Sequence, residues 1–563
     1  MADEPQDWRL RPWLLAALLG TAGFLILAVA GGQGPDTRVA WKAALTALLF
    51  FGPLAFAFTL ERDRWKAPLA FALFAGIVMA GLAWRAVGQA ATLADPQYGF
   101  LAGLVATGLA LPLIQAGFHR TRWATSYRAI HGAVWSDAIC AGGSLVFTGA
   151  SWLMLVLLSE LFHLLKIDIL KNLIDDGWFG WTWSGAAFGA ALGVLRNELG
   201  IIGTLRRVVM TVLSLLAVPL AAGLALFLVA MVVSGPEVLW EATRSATPVL
   251  LACAAGAWVL ANAILRDEDS AMSGNRVLRI AALVLVLSVL PLTVFAAVSM
   301  GTRVAQHGLS PERLWGLVAI AVAVAYGLAW LVAVVRGWKG GEWRARVRHA
   351  NLHLAVVISG VALFLALPIL DFGAISARHQ LARLQSGVVS AEDFDYEALR
   401  WDFGAAGRRA LARLERSGNP IIVELAREAR QRKARIYPYG PAEDFVLRVQ
   451  PADPIFERMV RDYIRSNPWS CVKHCVALDL GAVEGGKRRA AIVTGGGYAE
   501  AGLPYDPAVP AEAPAPRAMP TLGTASTVEV RTVSRRQIFV DGKPLGSPLE
   551  DAPTPVEVKP PPR

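Results

Sequence analysis

The chain has 563 residues, 55% hydrophobic and 17% charged, with a mean hydropathy of +0.46 and a formal net charge of +10. Soluble domains carry about 25% charged residues, so a deficit this deep over this length excludes an ordinary soluble globular protein. It equally excludes a disordered or collagenous chain, which needs more charge or a glycine period. What remains is a polytopic membrane protein. The deficit is also uneven: residues 1–371 hold 48 charged residues, about 13%, and residues 372–563 hold 50, about 26%. The first part therefore has membrane composition, and the second has that of a soluble domain.

Apolar runs near the ~20 residues of a helical crossing recur at 12–30, 39–59, 67–87, 98–118, 138–160, 178–195, 208–233, 246–265, 277–299, 313–335 and 350–370. The run at 178–195 is the shortest of the eleven. Lys and Arg in the short connections report orientation. The N-terminus and the even-numbered loops hold 19, from Arg9 and Arg11 to Arg346 and Arg348, and the odd-numbered loops hold 8. The basic side is expected to be cytoplasmic, which puts the N-terminus inside and, after eleven crossings, everything beyond Asp371 outside. Arg9, Arg11 and an apolar stretch ending Ala28-Val29-Ala30 also have the form of a cleavable signal peptide. The stretch is longer than a signal's apolar core, so a retained anchor is expected.

Residues 372–436 carry helical spacing in Leu381, Leu384, Leu399, Leu411, Leu414, Ile421, Ile422 and Leu425, interrupted at Gly418-Asn419-Pro420. A further helix is expected at 455–466, and strands at 476–480, 490–494, 528–533 and 537–540, with Asp541-Gly542 as a hairpin turn. Residues 504–520 form a Pro/Ala-rich linker. The expected architecture is an all-α polytopic bundle of about eleven transmembrane helices (1–371) with a C-terminal exported α+β region. That region divides into an α+β domain (372–503), the linker (504–520), a small β-hairpin module (521–549) and a disordered tail (550–563).

Ionisable residues inside a membrane are functional pointers because burying charge in hydrocarbon is costly. Here Asp137, Glu160, His163, Glu198, His353 and Asp371 all lie near the ends of apolar runs. Glu160 and His163 are one helical turn apart, the spacing of a proton or cation site, and equally that of hydrated helix-end residues. Gly185, Gly189 and Gly193 recur every four residues, which suits close helix packing. Trp178, Phe179, Trp181 and Trp183 match an interfacial aromatic belt, with sugar or headgroup stacking as the alternative. Gly481–Lys487 has phosphate-loop spacing, but Arg488 stands where Ser or Thr should bind magnesium and a strand follows in place of a helix. A hairpin loop is expected there. Cys471 and Cys475 do not have redox-motif or haem spacing, and a local disulfide is the simplest pairing in an oxidising compartment, with unpaired thiols as the alternative. Cys140 and Cys253 lie in apolar runs as packing residues. Arg427, Arg430, Arg432, Lys433 and Arg435 form a solvated helix face with Glu424 and Glu428, or a contact to anionic headgroups. The chain carries no catalytic triad, zinc motif, cofactor motif or nucleic-acid motif.

Three blocks, LLSELFHLLKIDIL (157–170), RVAQHGLSPERLW (303–315) and ISARHQLARLQSGVVSAEDFDYEALRWDFG (375–404), resemble a bacterial family of polytopic inner-membrane proteins known only as a domain of unknown function. The resemblance runs from about the fourth apolar run to residue 416, and it implies membrane location and topology without a catalytic residue. Within it, Ser310 is placed to cap the tenth helix, with Pro311 and Glu312 in its first turn. Phe394, Tyr396, Leu399 and Trp401 would dock the exported segment. The expected function is that of a non-catalytic or transport-associated cell-envelope protein, with the lipid bilayer as partner and no cofactor. The alternatives are a membrane enzyme acting on a lipid or polysaccharide through Glu160 and His163, and an envelope sensor. N-terminal sequencing of the mature protein is expected to start upstream of Arg11; a start at Gly31 would refute the retained anchor.

Overall fold

In a bilayer every backbone N–H and C=O must be satisfied within its own segment, so apolar runs of this length become helices. The structure, a computed structural model, describes residues 8–30, 38–235, 246–432, 445–467, 470–471, 474–482, 488–494, 497–503, 538–540 and 543–545. It divides into two compact units, Met1–Arg432 and Lys433–Arg563.

The long helices of the first unit are α1 (Arg11–Ala30), α2 (Ala40–Thr59), α3 (Lys66–Gly88) and α4 (Pro96–Gln115). After the short α5 (Phe118–Thr121) come α6 (Tyr127–Leu164), α7 (Ile169–Asp175), α8 (Gly177–Asn197) and α9 (Leu199–Ser234). Then follow α10 (Thr247–Leu265), α11 (Arg276–His307), α12 (Pro311–Gly337) and α13 (Trp343–Ala366). Among the described residues, ten helices are long and apolar enough to cross a membrane, and the protein is a multi-pass membrane protein. α8 is not one of the ten, because Gly, Trp, Ser and Thr dilute its hydropathy. It nonetheless carries the chain from one end of the bundle to the other: its 21 residues span about 31 Å at ~1.5 Å per residue. Its glycines explain how. A Cβ at Gly185 would run into the Leu19 carbonyl, one at Gly189 into that of Leu15, and one at Gly193 into Pro12. α8 therefore lies antiparallel to α1, backbone against backbone, along its length.

Two ends of the bundle can be told apart by the connections. One is arginine-rich and gathers the start of α1, the α2–α3 connection, the α4–α6 and α8–α9 connections, and those of α10–α11 and α12–α13. The other, the far end, gathers the α3–α4, α6–α8 and α11–α12 connections. The largest apolar core joins α9 to α13 around Leu285, Leu292 and the fully buried Trp330. A second core joins α1, α2, α6, α8 and α9 around Leu15, Phe58, Leu192 and Ile202.

Beyond α13 the chain forms α14 (Phe372–Gln385), α15 (Tyr396–Trp401), α16 (Gly404–Leu414) and α17 (Pro420–Gln431). These helices belong to the first unit and cap its far end. Gln380 Nε2 donates to the carbonyls of His307 (2.8 Å) and Leu309 (3.0 Å), and Arg383 donates to Gln306 O (2.8 Å). On the other side Ala405 N donates to Thr92 O (2.8 Å), and Arg408 donates to Ala91 O. Gly404, at φ +60°, sits where any side chain would meet the Thr92 carbonyl. Phe394, Tyr396 and Leu399 are buried in the cap's own core instead of forming its docking surface, and Trp401 is exposed with its Nε1 donating to Glu397 (2.8 Å). The compact units therefore part at residue 432, not at 371, and the helical segment 372–431 goes with the bundle.

The second unit contains a four-stranded sheet in the order β1 (Val446–Gln450), β2 (His474–Ala482), β3 (Arg488–Thr494), β4 (Gly497–Leu503). β1 and β2 are parallel and joined through α18 (Pro454–Ser466), and β2, β3 and β4 form an antiparallel meander. Phe456, Val460 and Ile464 of α18 cover one sheet face. Ile538 of β5 (Ile538–Val540), which pairs with β6 (Lys543–Leu545), packs against Ala491 and Val493 of the other. The linker 504–520, the strand at 528–533, Asp541-Gly542 and the tail 550–563 lie outside the described residues.

Substituting Gly189→Leu is expected to cost about 1–3 kcal/mol through overpacking, read as a lowered thermal unfolding midpoint of the detergent-purified protein. Gly223→Leu, at an α9 position with open space around it, is expected to leave the midpoint unchanged.

Candidate functional site

At the far end, the close of α3, the start of α4, the start of α12 and the end of α13 converge beneath α14. They enclose a polar cup of about 220 Å³ lined by Arg85, Asp95, Pro96, Trp315, Asp371 and Phe372, among others. Beside it an apolar groove of about 560 Å³ runs between α4, α12 and α13, lined by Leu101, Val105, Val318, Val322, Ile358 and Val361, with Tyr98 and Glu312 at its mouth. Trp315 and Leu365 line both cavities. Each volume is near or within the ~300–1,000 Å³ of ligand pockets.

Local sequence sets each of these side chains. Arg85 lies in the last turn of α3, where a cation faces the negative end of the helix dipole. Its Nη1 donates to Ala366 O at 3.4 Å, while its Nε is buried without a hydrogen-bond partner. Asp371 caps α14, accepting from Ala374 N at 3.0 Å, and acts electrostatically on Arg85. Ser310 caps α12 by accepting from Arg313 N (3.3 Å), with Pro311 and Glu312 following, which points Trp315 one turn later into the junction. There the Trp315 ring stacks on Tyr98, with centroids 5.8 Å apart, and tilts against Phe372 at 4.9 Å. Asp95, at φ 50°, precedes Pro96 at the start of α4 and holds the left-handed turn that closes the cup.

The residues singled out by sequence lie elsewhere. Glu160 and His163 are both exposed on the last turns of α6, and His163 Nδ1 is 2.5 Å from Asp168 Oδ1, so its hydrogen-bond partner is Asp168. α6 and α8 are joined by indole bonds: Trp183 Nε1 of α8 donates to Ser151 Oγ (3.1 Å), and Trp152 Nε1 of α6 donates to Ser184 Oγ (2.9 Å), while Trp178 is exposed. Gly185, Gly189 and Gly193 line the α1 seam. Asp137 accepts from Gln115 Nε2 (3.0 Å) near Arg196, whose Nη1 donates to Ala57 O (2.6 Å). In the second unit, Cys471 and Cys475 are joined by a disulfide, and Gly481 lies in the last residues of β2, paired with Arg489, while residues 483–487 of the β2–β3 connection lie outside the described ones. Arg488 pairs there with Asp479 and Asp453 (2.6 and 2.8 Å). No group of three or more His, Cys, Asp or Glu side chains suited to a metal occurs among the described residues.

Sequence reasoning passed over a buried polar network at the arginine-rich end. Trp330 Nε1 donates to Asn351 Oδ1 (2.8 Å), and Asn351 Nδ2 donates to Asn262 Oδ1 (2.7 Å), which also accepts from Tyr127 OH (3.3 Å). His131 is buried beside Tyr127 and the backbone of Asn262, and neither of its ring nitrogens makes a hydrogen bond. One turn before Asn351, the buried Arg348 donates to the carbonyls of Leu265 (2.7 Å) and Arg266 (3.1 Å) at the end of α10, and to Asp269 (2.7 Å). The signal in the sequence was slight: single asparagines at the ends of two apolar runs.

Partial burial works against ionisation of Asp269, but the hydrogen bond and charge of Arg348, with those of Arg344, hold its carboxyl below the ordinary carboxylate range. A group lowered on folding stabilises the protein above its unfolded pKa of about 3.9, and that contribution disappears as pH falls through the lower folded value. The unfolding midpoint is therefore expected to fall in acid, with a shallower fall in Asp269→Asn. Asn351→Leu, which strands the Trp330 N–H, is expected to cost about 1–3 kcal/mol at neutral pH, measured in the same unfolding experiment.

No curated protein matches the chain, and no solved structure does. A family model described as Domain of unknown function (DUF4153) matches residues 40–414. The match begins at α2, earlier than the fourth apolar run where the resemblance was expected to begin, and it closes on the last residue of α16, so it takes in the bundle from α2 onward together with most of the cap. With two-thirds of its length inside that model, the chain belongs to the DUF4153 family.

Proposed function

We propose that this is a non-catalytic, transport-associated cell-envelope protein of the bacterial inner membrane. Its N-terminus lies in the cytoplasm, and the bundle holds its cap, with the C-terminal region beyond, outside. The observation that carries the reading is the seating of the cap: α14 and α16 are bonded to two separate far-end connections, and Phe372 at the start of α14 lines the polar cup that adjoins the apolar groove. A segment so placed controls access to that cavity without needing chemistry of its own. The orientation is supported by the 19-to-8 excess of Lys and Arg at the N-terminal end. The Cys471–Cys475 disulfide suits an oxidising compartment for the C-terminal unit. Glu160 and His163, exposed on the last turns of α6, act as hydrated helix-end residues.

A membrane-impermeant maleimide applied to intact spheroplasts is expected to label Val388→Cys in the cap, with Lys339→Cys labelled only after lysis. The reverse pattern would overturn the orientation. For function, the Gly404→Val variant is expected to lose complementation of a deletion phenotype while Glu160→Gln and His163→Ala retain it. Failure of either of the latter would return the pair to an active role.

A further inference from the structure

The cup and groove together have the form of an amphiphile site, and we propose that they bind one phospholipid with a zwitterionic headgroup, the phosphate on Arg85 and the ammonium among the carboxylates of Asp371 and Glu312. Three observations lead there. The first is the Arg85 guanidinium, whose Nε is buried with no partner and whose Nη1 has one long bond to a carbonyl. Buried donors are ordinarily satisfied, and a guanidinium fork fits the oxygens of a phosphate.

The second is the charge balance around it. Asp371 and Glu312 line the two cavities against one guanidinium. A purely anionic headgroup would meet a surplus of negative charge, whereas a phosphate tethered to an ammonium answers both signs.

The third is the groove. Its lining is apolar, and Leu101, Val105 and Val361 are 48%, 48% and 40% exposed, so it lies open to an acyl chain arriving from the side. Moving a chain from bilayer to groove brings no hydrophobic gain, because lipid tails are as apolar as the groove. Selection therefore falls on the headgroup. Trp315 and Tyr98, stacked at the junction, are the aromatic pair expected where headgroup meets chain.

The site concerns ligand identity, and only the choice of leaflet rests on the orientation proposed above. The test uses the full-length protein in detergent micelles, where orientation plays no part, with native mass spectrometry after adding phosphatidylethanolamine or phosphatidylglycerol of identical chains. Wild type is expected to retain phosphatidylethanolamine preferentially. Arg85→Gln should reduce that retention about tenfold, the equivalent of one charge-assisted hydrogen bond. Leu101→Trp, at an exposed position that plugs the groove without disturbing the core, should reduce it comparably. Asp371→Asn keeps the helix cap and should narrow the preference over phosphatidylglycerol while total phospholipid retention stays. Equal retention of the two lipids by wild type would overturn the zwitterionic assignment. Wild-type retention by Leu101→Trp would overturn the site itself, even where Arg85→Gln fails to fold. Either result would leave the spheroplast labelling untouched.

Discussion

The backbone contact between α8 and α1 decides on which side of the membrane the rest of the chain emerges. α6 ends at the far end and α9 begins at the arginine-rich end, so a segment between them must make the return. The only long helix available there is too rich in Gly, Trp, Ser and Thr to be a strong crossing by composition. Its lipid-facing hydrophobicity is exchanged for contact: Gly185, Gly189 and Gly193 bring two helix axes close enough for dispersion to act between backbones. Were α8 to lie along a surface, the α3–α4 docking loop would fall on the side opposite the cap, while the α11–α12 loop, two crossings before the cap, would stay with it.

Polarity is placed at the ends of the bundle, with a different use at each. At the arginine-rich end Arg348, Asn351, Asn262 and Trp330 satisfy one another and the loose carbonyls closing α10. A network so complete specifies how α10, α12 and α13 meet. At the far end the polar groups are left partly open, with Arg85 undersupplied and carboxylates around it. A satisfied network makes structure, whereas an unsatisfied one beside a cavity makes a place for something else.

Much of the bundle was legible because a bilayer demands one signal, an apolar run of fixed length, and every such run falls on a helix. Helix ends were less legible. α6 begins eleven residues before its apolar run, since Tyr127–Asp137 stays helical through tertiary contacts such as Tyr127 with Asn262. β4, with the sequence GYAEAGL, has little strand propensity of its own and exists through its pairing with β3. The cup was illegible for a different reason. Arg85 lies more than two hundred residues before Trp315 and Asp371 in sequence, and only the folded topology brings them together. Glu160 and His163 show the converse: their spacing was readable, but spacing along one helix did not reveal that Asp168, past the helix end, would take the histidine.

The bonds between the cap and the α3–α4 connection have a consequence for biogenesis. Arg408 and Ala91 are separated by 317 positions in sequence, so the roof cannot close until nearly the whole bundle has been inserted. A chain that skipped one crossing between the two docking loops would leave the α3–α4 connection on the side opposite α14–α16, and the bonds of Ala405 and Arg408 to Thr92 and Ala91 could not form. The cap thus reads the parity of the crossings between those two connections, a difference between a correctly threaded and a misthreaded molecule that protein quality control can sense.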